Sequence, residues 1–118
     1  MKEWNYKNLI VWQKAMDVAV KVYCLADTFP KNELYGLTSQ IRRAASSISA
    51  NIAEGSRRKG PKDRVHFFIM AYGSGAELES HLELAKRLAF VSAEDLKEIT
   101  GPLDEVMRML NRLTSTSG

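Results

Sequence analysis

The chain has 118 residues, 45% of them hydrophobic and 26% charged, with a formal net charge of +3. That length and balance are ordinary for one soluble globular domain with a single core. No apolar run approaches the roughly 20 residues that span a bilayer, and the single cysteine, Cys24, excludes an intramolecular disulfide. The N-terminal stretch MKEWNYKNLI is polar and aromatic and carries no secretory pattern, so a reducing cytoplasm is the expected compartment.

Four periodic segments are separated by short breakers. The first covers about 9–29. Trp12, Ala15, Met16, Ala19, Val22, Tyr23 and Ala26 recur at helical spacing, and Val11, Val18 and Leu25 form a second seam. Pro30 ends the segment, because proline disfavours helical geometry at the residue before it. The second covers about 33–58, with Asn32 as the expected N-cap. Its apolar stripe is Leu34, Leu37, Ile41, Ala44, Ala45, Ile48 and Ile52. Gly60-Pro61 closes it and opens the next.

The third segment covers about 62–89. Val65, Phe68, Ile69, Tyr72, Ala76, Leu82, Ala85 and Leu88 are expected to face inward. Gly73 and Gly75 each cost about 1 kcal/mol against alanine in a helix interior. Close backbone approach is the expected compensation. The fourth covers about 92–114, with Ser92 as N-cap and Asp95 three residues on. Leu96, Ile99, Leu103, Val106, Leu110 and Leu113 form a bundle seam. Gly101-Pro102 should kink or break it, and the tail TSTSG should fray. No strand-type alternation survives. Four helices with short connections predict an all-α, antiparallel, up-down-up-down four-helix bundle.

The second helix is the most informative element. From Ala44 to Ala53 it carries no charge, so it lacks the usual solvated face and should be covered on more than one side. At 100° per residue, Ile41, Ala44, Ala45, Ile48 and Ile52 share the core face. Gln40, Arg43, Ser47, Asn51 and Glu54 form a polar stripe about 120° away, and Ser46, Ser49, Ala50 and Ala53 a small-residue face. The chain reverses near Gly60, so Ser47 and Ala50 should lie level with Gly73 and Met70 in a tight crossing. The polar stripe is either a solvated face or an interface between subunits. Arg43 and Glu54 lie about 16 Å apart along the helix and cannot pair with each other. In an oligomer each would find a partner on a neighbour, and Glu54→Ala would then weaken assembly more than the fold.

Antiparallel threading gathers Lys2, Lys7, Arg57, Arg58, Lys59, Lys62, Arg64, Arg108 and Arg112 at one end, opposed by Glu3 and Asp63. Arg57 to Lys59 suit a helix C-terminus, but Lys62 and Arg64 begin a helix, where the macrodipole disfavours cations. Arg57, Arg58, Lys59, Lys62 and Arg64 are therefore candidate contacts to the phosphate backbone of RNA or DNA. The rival reading is a scaffold whose basic tip recruits an acidic protein. No base-reading motif is visible, and no membrane partner is expected.

Catalytic and cofactor signals are missing. His66 and His81 are over about 20 Å apart along one helix and cannot share a metal. Glu77 and His81 make half a site at most, so no metal or other cofactor is expected. Cys24 is expected to be a small buried hydrophobe. GSRRKGPK lacks the strand and the Lys-Ser/Thr ending of a phosphate loop.

The stretches LIVWQKAMDVAVKVY, FPKNELYGLTSQIRRAASSISANIAEGSRR and FFIMAYGSGAELESHLELAKRL resemble the four helix bundle protein family, also called the 23S rRNA intervening-sequence or S23-like family. The specific pattern is Gln40-x-x-Arg43, then Ser47, then Asn51-Ile52-Ala53-Glu54-Gly55. Many members carry proline where this chain has Ser49. The missing catalytic signals lead to the expectation that the protein is not an enzyme. The resemblance implies a bacterial up-and-down four-helix bundle that assembles into a homopentameric ring. It further implies, by analogy with accessory proteins of diversity-generating retroelements, a nucleic-acid ligand and a reverse-transcriptase-like partner.

Overall fold

The structure, a computed structural model, describes residues 5–115. A 3-10 turn at Tyr6–Asn8 leads into helix α1 (Ile10–Ala26), and a second at Lys31–Glu33 leads into α2 (Leu37–Ser56). Helices α3 (Pro61–Arg87) and α4 (Ala93–Thr114) complete the described residues, which contain no strand. Each helix packs on its two neighbours around the bundle, α1 on α2 and α4, and α3 on α2 and α4. This is the expected antiparallel four-helix bundle, 49 Å long and 24 by 20 Å across.

Local chemistry moves the helix ends from their expected places. Helix α1 stops at Ala26 rather than 29, and the Thr28 hydroxyl donates to the Leu25 carbonyl at 2.7 Å as the chain unwinds toward Pro30. Helix α2 starts at Leu37 rather than 33. Asn32 does not cap it but sits in the preceding 3-10 turn. The Glu33 carboxylate takes over that task, accepting from the Leu37 N–H at 3.2 Å, with its charge at the favourable end of the macrodipole. Pro61 occupies the first turn of α3, where its missing N–H has no intrahelical partner to lose.

Helix α3 ends at Arg87 in a reversal built on Ala89, whose φ is +63°. The Phe90 N–H donates to the Ala85 carbonyl and the Ala89 N–H to that of Lys86, the Schellman pattern with alanine in the usual glycine position. That reversal buries Val91 and sets the Phe90 ring 5.7 Å from Phe29 across the bundle end. Ser92 caps α4 as expected, accepting from the Asp95 N–H at 3.0 Å. Pro102 does not break α4, which runs continuously to Thr114. Proline cannot donate to the Glu98 carbonyl four residues back, and Lys21 Nζ on α1 reaches that oxygen instead, at 3.5 Å. Of the TSTSG tail, Thr114 closes α4; residues 116–118 lie outside the described residues.

The core is formed by Val11, Ala15, Val18 and Val22 of α1, Ile41, Ala45, Ile48 and Ile52 of α2, Leu78 and Leu82 of α3, and Leu103, Val106 and Leu110 of α4. On α1 the Val11–Val18 seam lies inside, whereas Met16 and Tyr23 are exposed. The inward face of α3 is rotated from the expected one. Phe68, Ala71, Gly75, Leu78, Leu82 and Ala85 are buried, while Ile69, Tyr72, Ala76 and Leu88 point out. Leu34 and Leu113, at the ends of their expected stripes, are also exposed.

Candidate nucleic-acid interface

The α2–α3 reversal, the entry to α1 and the end of α4 meet at one tip. Arg57 lies 5.6 Å over the Tyr6 ring, which joins the end of α2 to the entry of α1. Leu9 and Ile10 share a surface depression with Arg112 and Leu113, which brings in the end of α4. The basic residues expected here from residue 5 onward are therefore together; Lys2 and Glu3 lie outside the described residues.

The five candidate phosphate contacts divide into two groups. Arg58 is held from three sides. Its guanidinium pairs with Glu54 at 2.7 Å and Asp63 at 3.6 Å, and lies 4.5 Å over the Phe67 ring. Arg64 donates to the Arg58 carbonyl at 3.1 Å, closing an orphan acceptor beyond the end of α2. These two cations brace the turn. Arg57, Lys59 and Lys62 are exposed, and none has a carboxylate within ion-pair distance among the described residues. Arg108 pairs with Asp104 on its own helix. Glu54 and Asp104 thus join Asp63 as anions near this end.

The polar stripe of α2 is divided, its middle turned to α3 and its first two residues to solvent. The Ser74 hydroxyl donates to Ser47 Oγ at 3.0 Å, and the Asn51 amide donates to Ser47 O and Oγ at 2.9 and 3.1 Å. Glu54 has its ion pair with Arg58 inside the chain. Gln40 and Arg43 are exposed. The expected level crossing does occur at this height, but through Ser47 and Ser74. Ala50 and Ser46 face outward, and a Cβ on Gly73 would meet nothing within 4 Å.

Of the two glycines expected to allow close approach, Gly75 does and Gly73 does not, and Gly55 is a further such site. A Cβ on Gly55 would stand 3.0 Å from the Arg64 carbonyl oxygen, Phe67 Cβ and Phe68 Cε1. One on Gly75 would overlap Met107 Sδ of α4. Sequence reasoning missed Gly55, Tyr6, Phe67 and Ser74. The i, i+4, i+8 spacing of Ser47, Asn51 and Gly55 was the available signal for a seam against one neighbour.

Other polar groups lie elsewhere. Cys24 is exposed rather than buried, and lines a depression of about 440 Å³ with Lys21, Asp95 and Glu98 between α1 and α4. His81 Nε2 lies 3.5 Å from Glu77 Oε2. Among the described residues no group of three or more His, Cys, Asp or Glu side chains is placed to hold a metal ion. None of the described helices is long and apolar enough to cross a membrane.

No curated protein matches the chain. Among solved structures, a protein of unknown function from the S23 ribosomal protein family of Bacteroides thetaiotaomicron VPI-5482 is similar, at 27% identity and a TM-score of 0.82. The likeness covers 91% of this chain and 100% of that one. The model of the 23S rRNA-intervening sequence protein family matches residues 7–112, nearly every residue that builds the four helices and the tip. The chain therefore belongs to the 23S rRNA-intervening sequence protein family.

Proposed function

We propose that this protein is a non-enzymatic, cytoplasmic homo-oligomer that holds the phosphate backbone of nucleic acid against its basic tip. The observation that carries this reading is the α2–α3 turn. Arg57, Lys59 and Lys62 project from it without carboxylate partners among the described residues, while Arg58 and Arg64 are spent bracing it. A turn held rigid by two cations and displaying three more suits a multiply charged ligand. Three phosphate contacts bind weakly by themselves. Repetition of the tip around a ring of subunits, a pentamer by the family resemblance, would supply avidity without any new contact.

Assembly has its own support. Ile69, Met70 and Tyr72 on α3 and Ile10, Met16, Val20 and Tyr23 on α1 are exposed large apolar side chains. Met16, Val20 and Tyr23 share one face of α1 by their i, i+4, i+7 spacing, and contiguous apolar faces mark interaction sites.

The test is binding to a structured RNA followed by fluorescence anisotropy from about 50 to 200 mM salt. Affinity should fall steeply with salt, and Arg57→Glu with Lys62→Glu should flatten that dependence and abolish binding near 200 mM. Absence of binding even at low salt would defeat the reading and leave the acidic-protein scaffold. A solution mass equal to one chain at micromolar concentration would defeat the oligomer.

A further inference from the structure

The basic tip carries aromatic rings beside its cations, which a phosphate clamp does not need. Arg57 and Arg58 are consecutive, and each lies over an aromatic ring, Tyr6 at 5.6 Å and Phe67 at 4.5 Å. The Tyr6 ring is itself buttressed edge-on by Trp12, with centroids 5.3 Å apart. His66 is exposed and stands edge-on to Phe67 at 5.4 Å. Lys7, next to Tyr6 in the chain, and Lys59 and Lys62, on the turn that carries Arg57 and Arg58, are exposed.

The two cation–π pairs are not equivalent. The fold accounts for Arg58 on Phe67, because Phe67 fills the space beside Gly55 and Arg58 is tied to Glu54 and Asp63. It does not account for Arg57 on Tyr6. Arg57 is exposed and lacks a carboxylate among the described residues, and Tyr6 is only half-buried. An exposed cation–π contact is a weak restraint. Arg57 therefore stands over the buttressed Tyr6 ring yet stays accessible from solvent, on the same turn as Lys59 and Lys62.

We infer that the tip takes single-stranded nucleic acid, with an unpaired base stacking on the Tyr6–Arg57 platform, His66 as a second flat surface nearby, and the lysines holding the backbone. This rests on the reading that the tip binds nucleic acid, and it names which form. In a duplex the base faces are already stacked on one another, so the aromatic platform would be idle. In a single strand they are available, and stacking on rings or guanidinium planes is the usual source of affinity.

Three ligands of equal length, about 12 nucleotides, separate the possibilities: an oligoadenylate strand, the same backbone without bases, and an RNA duplex. With the whole chain at fixed salt, the oligoadenylate should bind at least about fivefold more tightly than the abasic strand. Tyr6→Leu should remove that preference, and Tyr6→Phe, which keeps the ring, should retain it. Lys59→Ala with Lys62→Ala should weaken oligoadenylate and abasic strand by the same factor. Circular dichroism of Tyr6→Leu checks that the bundle is intact. Equal affinity for oligoadenylate and abasic strand, tighter binding to the duplex, or an undiminished preference in folded Tyr6→Leu overturns the inference while leaving backbone binding standing. Failure of all three ligands to bind overturns both.

Discussion

Gly55→Ala and Gly73→Ala are the same chemical change on neighbouring helices, and the structure gives them opposite signs. In a helix interior alanine is favoured over glycine by about 1 kcal/mol, from backbone entropy alone. At Gly73 nothing opposes that gain, since the added methyl meets no atom within 4 Å. Gly73→Ala should therefore stabilise the bundle by about 0.5–1 kcal/mol. At Gly55 the methyl would stand 3.0 Å from the Arg64 carbonyl oxygen, Phe67 Cβ and Phe68 Cε1. The first is backbone and the second is fixed to it, so relief requires α3 to move away from α2. Overpacking of this kind costs about 1–3 kcal/mol. After subtraction of the propensity gain, Gly55→Ala should destabilise by about 1 kcal/mol, and Gly55→Val by more. Thermal unfolding at matched protein concentration would read this as a fall in Tm of about 3–5 °C, against a rise of similar size for Gly73→Ala. Stabilisation by Gly55→Ala equal to that by Gly73→Ala would refute the close approach of α2 and α3 at the tip.

Four further outcomes can be checked. Ala89→Gly should stabilise by about 1 kcal/mol in urea unfolding, because a left-handed residue with φ of +63° loses its Cβ penalty while keeping both reversal hydrogen bonds. Pro102→Ala should restore an N–H to α4 and stabilise by about 1–3 kcal/mol. Lys21→Met should cost about 0.5 kcal/mol in the native sequence and nothing in the Pro102→Ala background, where Glu98 O regains its helical donor. Hydrogen bonds from Arg87 and then Lys86 hold the Glu83 carboxyl below its usual pKa. A depressed carboxylate contributes stability that is present above the unfolded pKa and lost as pH falls through the folded one. The small Tm difference between the native chain and Glu83→Gln should therefore be present at neutral pH and vanish in acid.

How legible the fold was depended on how each helix distributes its apolar residues. Helix α4 has one stripe, with charge elsewhere and a serine cap, and its inward residues from Leu96 to Leu110 were readable directly. Helix α3 is apolar around much of its circumference. Ile69, Tyr72 and Leu88 drew the expected face toward themselves, while the real seam uses Ala71, Gly75 and Ala85, which small side chains mark only faintly. The basic tip was legible because threading alone decides which ends meet. Which cations it consumes was not, since the pairing of Arg58 with Glu54 and Asp63 depends on rotamers that composition does not encode.

The pattern by which the chain resembles its family divides in the same way. Ser47 and Asn51 belong to a hydroxyl–amide cluster that bonds Ser74 on α3. Gly55 admits the α3 backbone, and Glu54 fixes Arg58. Those four residues are explained by one requirement, that α2 and α3 close tightly down to the turn where Arg57, Lys59 and Lys62 emerge. Gln40 and Arg43 are not; both are exposed, and no hydrogen bond from either side chain ties it to the rest of the described chain. If the pattern recorded only the needs of the single bundle, these two positions would tolerate alanine in assembly and ligand binding alike. A role at a subunit boundary instead predicts that Arg43→Ala lowers the solution mass while leaving helical content unchanged. A variant that keeps both would refute a role for Arg43 at a subunit boundary.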